Sequence, residues 1–226
     1  MSSLQDDNKV VPFESTKLYE QAYGYVQEYM SRYDCSHDFN HILRVLALSK
    51  HILAEEIKTK PTKNFDERAV ILAALLHDVG DKKYVQPGEN AEQLVSDFLS
   101  RNGCAPKDVA KIALIVENVS YTNEIKRPQL VKAHINSHPE LAIVQDADRL
   151  DAIGAVGIGR VFAFGAVKAS ARGLQGSMDH FDEKLLKIEH MMKTQTGKQL
   201  ARERTERLKQ FRRWWYEETQ AASATS

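Results

Sequence analysis

Cysteine is nearly missing. Only Cys35 and Cys104 occur in 226 residues, and no CxxC pair exists. That excludes a disulfide-stapled scaffold, a cysteine zinc site and a thioredoxin-like redox motif, leaving two reduced thiols as the expectation. No sign of charge dominates, because 31 Lys and Arg balance 31 Asp and Glu. Generic binding to a nucleic-acid backbone needs a basic excess, so no nucleic-acid partner is expected. Long apolar runs are also lacking. The longest, Ala152 to Val167, is interrupted by Arg160 and is too short and too charged for a membrane span. The opening MSSLQDDNKVVPFE has no apolar signal-peptide stretch and carries acids that a transit peptide avoids. A cytoplasmic protein with no membrane contact is the expectation. Internal repeats, Pro/Gly/Ser-rich linkers and strand signals are scarce or absent.

What is present is helical spacing in nearly every segment. The pattern predicts helices from about Thr16 to Arg32 and from about Asp38 to Ile57. A third starts at the N-cap Asp66 and runs through AVILAALL to His77, apolar nearly all round as a buried central helix would be. Gly80 is placed to end it. A fourth is expected from Asn90, with Gln93 as capping-box partner, to Gly103, and a fifth from Pro106 to Val119. Ser120 to Pro139 reads as a polar connection, long enough to be a candidate functional loop. Pro139 to Ala169 reads as one long Gly-punctuated stretch, with the glycines of GAVGIG serving close packing or a bend. Helices from about Asp179 to Met192 and Lys198 to Thr219 complete one all-α domain. Tyr121, Phe162 and Phe164 are expected to pack in the core, with stacking on a base as the alternative, and Trp214 and Trp215 to make helix or subunit contacts.

Three places carry chemistry: His41 in SHDFNHILRV, the pair His77 and Asp78 in LLHDVGDKKY, and Asp146 at the head of DADRLD. Imidazole nitrogen with carboxylate oxygen suits Mn, Fe, Zn or Mg better than a soft metal. A His-Asp pair that ends a buried helix faces a desolvation cost which a cation offsets directly. The ordinary alternative is a helix-capping His with Asp78 paired to a lysine. Buried Arg needs an anionic partner, so Arg160, set among Gly, Ile, Val and Phe, calls for a phosphate or for Asp148 or Asp151.

His, then His-Asp after 36 residues, then Asp after another 68, on a helical chain, resembles the HD superfamily of metal-dependent phosphohydrolases. Further segments, QDADRLDAIGAVGIGRVFAFG and HFDEKLLKIEHMMKTQTGKQLARER, are similar to the stand-alone bacterial nucleotide pyrophosphohydrolase subgroup. The resemblance implies a single-domain helical bundle of the HD-domain type. Residues 1–15 would be a tail, 16–219 the hydrolase domain, and 220–226 a frayed end. Within the domain the HD core would span about 20–165 and a C-terminal helical extension about 170–219. It implies His41, His77, Asp78 and Asp146 as ligands of one divalent cation, Mn2+ favoured over Mg2+, Co2+, Fe2+ or Zn2+. Asp81 and Asp78 would act in catalysis, and Lys82, Lys83, Arg149, Arg160 and His180 would hold the substrate. His134 and His138 have the alternative of a second metal site. The implied reaction is nucleoside triphosphate plus water giving monophosphate plus pyrophosphate. Its alternatives are phosphomonoester hydrolysis of nucleoside monophosphates and a non-catalytic metal- or nucleotide-binding module. The partner is a small nucleotide, and the chain a monomer or homodimer.

Overall fold

The Asp66 side chain accepts a hydrogen bond from the amide of Ala69 at 3.0 Å, and the helix it caps forms the centre of the molecule. All eight residues from Ala69 to Leu76 are buried, so this helix needs apolar neighbours on every side. The computed structural model describes residues 12–32, 38–81, 90–91, 93–168 and 170–223. Among these residues there are eleven α-helices and no strand. They are α1 (Lys17–Met30), α2 (Phe39–Thr59), α3 (Glu67–Leu76), α4 (Leu94–Arg101), α5 (Pro106–Val119), α6 (Tyr121–Lys126), α7 (Pro128–Ser137), α8 (Glu140–Asp151), α9 (Gly154–Lys168), α10 (Gly173–Glu183) and α11 (Gln195–Ser223). The all-α expectation holds.

Helix α3 is enclosed by α1, α2, α5 and α8. Helix α2 turns a stripe of His41, Ile42, Val45, Leu46, Ser49, Ile52, Leu53 and Glu56 inward, the three- and four-residue spacing of one helical face. Buried Glu140 ties three helices together. Its Oε1 accepts from the Asp66 amide at 2.8 Å and from Lys111 Nζ at 3.0 Å. The C-terminal helices form a second layer, in which α11 packs on α8 and α9. Phe162 and Phe211 meet with ring centroids 5.9 Å apart, Trp215 joins them at 5.7 Å from Phe162, and Phe181 stacks on Phe211. Phe162 and Trp215 are therefore packing residues, whereas Phe164 is exposed on the cavity wall and Trp214 is exposed. Cys104 is a buried free thiol, and Cys35 lies outside the described residues.

Four expectations are corrected. Ser120 to Pro139 is helical, as α6 and α7, with Pro128 at the first position of α7. Only Val131 of those two helices is buried, so no apolar stripe marked them. Pro139 to Ala169 is two helices bent by 68° rather than one stretch. Gly154, at φ +77°, takes the left-handed conformation that opens the bend. The helix expected from Asn90 starts at Leu94, with no side-chain cap from Gln93. The stretch expected to be helical over Asp179 to Met192 is the end of α10 followed by a 3-10 helix, Leu185–Met191. No single helix among the described residues is long and apolar enough to cross a membrane.

Candidate metal centre and its cavity

Three backbone events bring the chemical side chains together. Asp38 caps α2 through the His41 amide at 3.2 Å, which places His41 on the first buried turn. Helix α3 stops after Leu76, so His77 and Asp78 leave the buried helix in a turn that Gly80 closes. Helix α8, buried along most of its length, presents its last turn opposite them. The two imidazoles meet with Nε2 atoms 3.2 Å apart. Asp78 Oδ2 is 3.3 Å from His41 Nε2, and Asp78 Oδ1 is 3.5 Å from His77 Nε2. Asp148 Oδ1 lies 3.6 Å from His41 Nε2 and 3.8 Å from His77 Nε2.

The neighbours orient these donors. His77 Nδ1 lies 2.9 Å from the Ala74 carbonyl, which only accepts, so Nδ1 carries the proton and Nε2 offers its lone pair. His41 Nδ1 lies 2.7 Å from Asp151 Oδ2. Asp151 in turn accepts from Arg44 Nε at 2.7 Å and from Arg160 NH1 at 2.7 Å. Burial alone would raise the Asp151 carboxyl, but His41 and Arg44 outweigh it and hold the group well below the usual range. The His41 proton therefore sits on Nδ1, and both Nε2 lone pairs converge on one small volume. His41, His77 and Asp148 each supply one atom within 4.8 Å of the others. This group of donors demands positive charge. Burial pulls the His41 imidazole down, yet hydrogen bonds to Asp151 and Asp78 push it up to about 9, so without a cation Nε2 would also carry a proton, and a bound cation would take that proton's place. Two oriented imidazole nitrogens and two carboxylates match a borderline divalent cation, so the residues fit the group expected from the sequence.

One ligand assignment is corrected. Asp146 does not face this volume. It is fully buried on the other side of α8, where its carboxylate accepts from the amides of Lys193 and Thr194 and from the Thr194 hydroxyl. Two residues apart on a helix are about 200° apart in direction, so Asp146 and Asp148 cannot serve one site. Asp148 and Asp151, three apart, share a face, and that spacing was the available signal for Asp148. Arg149 reinforces it. Its guanidinium bonds Asp148 Oδ2 at 2.6 Å, the Val119 carbonyl at 2.8 Å and Glu124 Oε2 at 3.2 Å. Burial would raise the Asp148 carboxyl, but Arg149 and the imidazoles hold it below its ordinary value.

The centre opens into a cavity of about 1100 Å3 between α5, α6, α9 and α10. Asp81 is half-buried on its wall, next to Asp78. Arg149 and Arg160 also line it, but each is engaged with protein carboxylates, Arg160 with Asp151 as one of the two expected partners. His180 also lines it, 3.5 Å from Glu183. Lys82 and Lys83 lie outside the described residues. His134 lines the cavity and His138 ends α7, and among the described residues neither joins a metal-competent group. Arg44 and Glu124 were not anticipated, because only the fold sets them against Asp151 and Arg149.

A helical bundle with two histidines and two aspartates at one buried point defines a class of metal-site protein. Residues 38–153 match the HD domain model, and the chain belongs to the HD domain family. It is 35% identical over 199 residues to the uncharacterized protein YpgQ of Bacillus subtilis (strain 168), covering 86% of this chain and 90% of that one. A crystal structure of YpgQ in complex with ADP superposes with a TM-score of 0.68 at 31% identity, covering 88% of this chain and 96% of that one. An HD-superfamily hydrolase from Bacillus thuringiensis superposes at 0.65 with 29% identity, over 89% of this chain and 96% of that one.

Proposed function

We propose that this chain is a metal-dependent phosphohydrolase that converts a nucleoside triphosphate and water to the monophosphate and pyrophosphate. The observation that supports it best is the convergence of His41 Nε2, His77 Nε2, Asp78 and Asp148 at one end of a cavity large enough for a nucleotide. Those four residues would hold a divalent cation, which would supply Lewis acidity at a phosphoryl oxygen and lower the pKa of a bound water towards neutrality. Asp81 stands on the same wall and takes the proton as the water oxygen bonds to the phosphorus nearest the sugar. The bond from that phosphorus to the bridging oxygen breaks, and pyrophosphate leaves with the electron pair. Asp151 keeps His41 oriented, and Arg149 keeps Asp148 oriented. The ADP bound in YpgQ supports a nucleotide as the ligand. Mn2+ as the cation and a cytoplasmic location belong to the same reading.

The test is a product-resolved panel. Purified protein is incubated with NTPs, dNTPs and NMPs in Mn2+, Mg2+, Co2+ or Zn2+, and pyrophosphate and orthophosphate are measured separately. Pyrophosphate is the expected product. Release of orthophosphate alone shifts the assignment to phosphomonoester hydrolysis, and a protein that binds no divalent cation cannot be this enzyme.

A further inference from the structure

Helix α6 buries no residue, yet it forms part of the cavity wall through Tyr121, Thr122, Asn123 and Lys126. A helix of six residues without a buried face is not held by apolar packing. Its ties towards the metal centre run through charge. Glu124 does not line the cavity, and its side chain is only 16% exposed. Oε2 accepts from Arg149 Nη2 at 3.2 Å, and Oε1 lies 2.7 Å from Lys193 Nζ. The Arg149 guanidinium also lies 5.5 Å from the centroid of the Tyr121 ring, so Arg149 joins α8 to α6 twice.

Arg149 divides one positive charge between two carboxylates. Its Nη1 is 2.6 Å from Asp148 Oδ2, while Asp148 Oδ1 is the oxygen directed at both imidazoles. Arg149 is buried, so little water screens this sharing. The more of the guanidinium charge Glu124 neutralises, the more of the Asp148 charge is left for a cation. The converse also holds. A cation at Oδ1 draws the Asp148 charge away from Arg149, which then binds Glu124 more strongly. Such coupling is reciprocal, because each event changes the free energy of the other by the same amount.

We infer that Glu124 is a positioning residue that couples the metal centre to the α6 wall of the cavity: a cation at Asp148 seats α6, and a seated α6 strengthens the Asp148 donor. This deepens the metal reading above and rests on it. The coupling firms the cavity wall when the cation is in place, so that a nucleotide meets a complete wall in the metal-loaded protein.

Calorimetric titration with Mn2+ alone, paired with hydrogen–deuterium exchange of the α6 segment, tests the coupling. In wild type, Mn2+ should slow exchange in α6. Glu124→Gln keeps an acceptor for Arg149 but drops the charge. It should bind one Mn2+ about tenfold more weakly, with no slowing in α6. Lys193→Met removes the cation that competes for Glu124, and should bind Mn2+ at least as tightly as wild type. Glu117→Gln removes a cavity carboxylate that is paired with Arg127 instead, and should match wild type. Unchanged Mn2+ affinity in Glu124→Gln overturns the coupling. So does an equal loss in Lys193→Met or in Glu117→Gln, which would mark a general effect of fold or of charge. Should Glu124→Gln fold poorly by circular dichroism, the wild-type exchange decides, and an α6 indifferent to Mn2+ overturns the coupling. Wild type that binds no Mn2+ sinks the metal reading and the coupling together, whereas failure of the coupling alone leaves wild-type Mn2+ binding intact.

Discussion

Thr194 donates to Asp146 through both its amide nitrogen and its hydroxyl, each at 2.7 Å from the same carboxylate oxygen. The contact bridges 48 residues and fastens the segment before α11 to the middle of α8. Gly197 is part of the fit, since a Cβ there would lie 2.3 Å from Asp146 Oδ2. Asp146 is thus a structural clamp two residues from a metal donor.

The clamp and the donor separate by mutation. Asp146→Ala leaves the buried Thr194 amide and hydroxyl and the partly buried Lys193 amide without their acceptor, and should cost about 3 kcal/mol in denaturant unfolding. Its folded fraction should still bind one Mn2+. Asp148→Ala and His77→Ala should lose Mn2+ in the same titration. Equal Mn2+ loss in Asp146→Ala and Asp148→Ala, measured on folded protein, would reverse the assignment.

Asp151 touches no substrate in this arrangement, yet it sets the His41 ring. Asp151→Asn keeps an acceptor oxygen but removes the charge that Arg44 and Arg160 face. Mn2+ affinity should drop by about 10- to 100-fold without loss of stoichiometry. An unchanged isotherm would show that the second layer of contacts does not tune this site.

For Asp81 the expected signature is a split between binding and turnover. Asp81→Asn should bind Mn2+ as wild type does while kcat falls about 100-fold or more. Turnover near wild type would remove Asp81 from the proton step.

Glu56 offers a pH test far from the metal donors. Its Oε1 caps the start of α11 through the amides of Gln195 at 3.0 Å and Thr196 at 3.4 Å, and Oε2 meets Lys60 Nζ at 2.5 Å. Burial would raise this carboxyl, but Lys60 and the amides hold it below its ordinary 4.5. Its contribution is therefore complete above the unfolded value and is lost as pH falls through the lower folded value. Glu56→Gln should cost about 1 kcal/mol at pH 7, with the gap to wild type closing in acid. Thermal melts from pH 7 to pH 3 read it directly, and a constant gap would exclude this linkage.

Much of the helical order was legible because local chemistry announces it. Asp66 and Pro106 mark true starts, and Gly80 a true stop, since caps and first-turn prolines act through backbone groups a few residues away. Helices α6 and α7 escaped notice because they bury almost nothing, and the few apolar residues they carry, Ile125 and Leu130 among them, are mostly exposed rather than repeated along a buried face. A bend was one of the two roles expected of the GAVGIG glycines, and Gly154 takes it, although the apolar run that continues across it gave no break in hydropathy to place it.

His41, His77 and Asp78 could be singled out from the chain alone, because a polar pair at the end of a buried helix needs compensation wherever that helix goes. DADRLD likewise announced an acidic turn. The three-residue spacing groups Asp148 with Asp151 on one face, but which face reaches the imidazoles could not be read there, since any rotation about the helix axis presents a different one. Packing decided it. The Lys193–Thr194 segment arrives on one side of α8 and claims Asp146, while α2 and the α3 turn arrive on the other and meet Asp148 and Asp151. That choice depends on contacts between residues 47 to 110 positions apart, whose energies exist only once the bundle has closed.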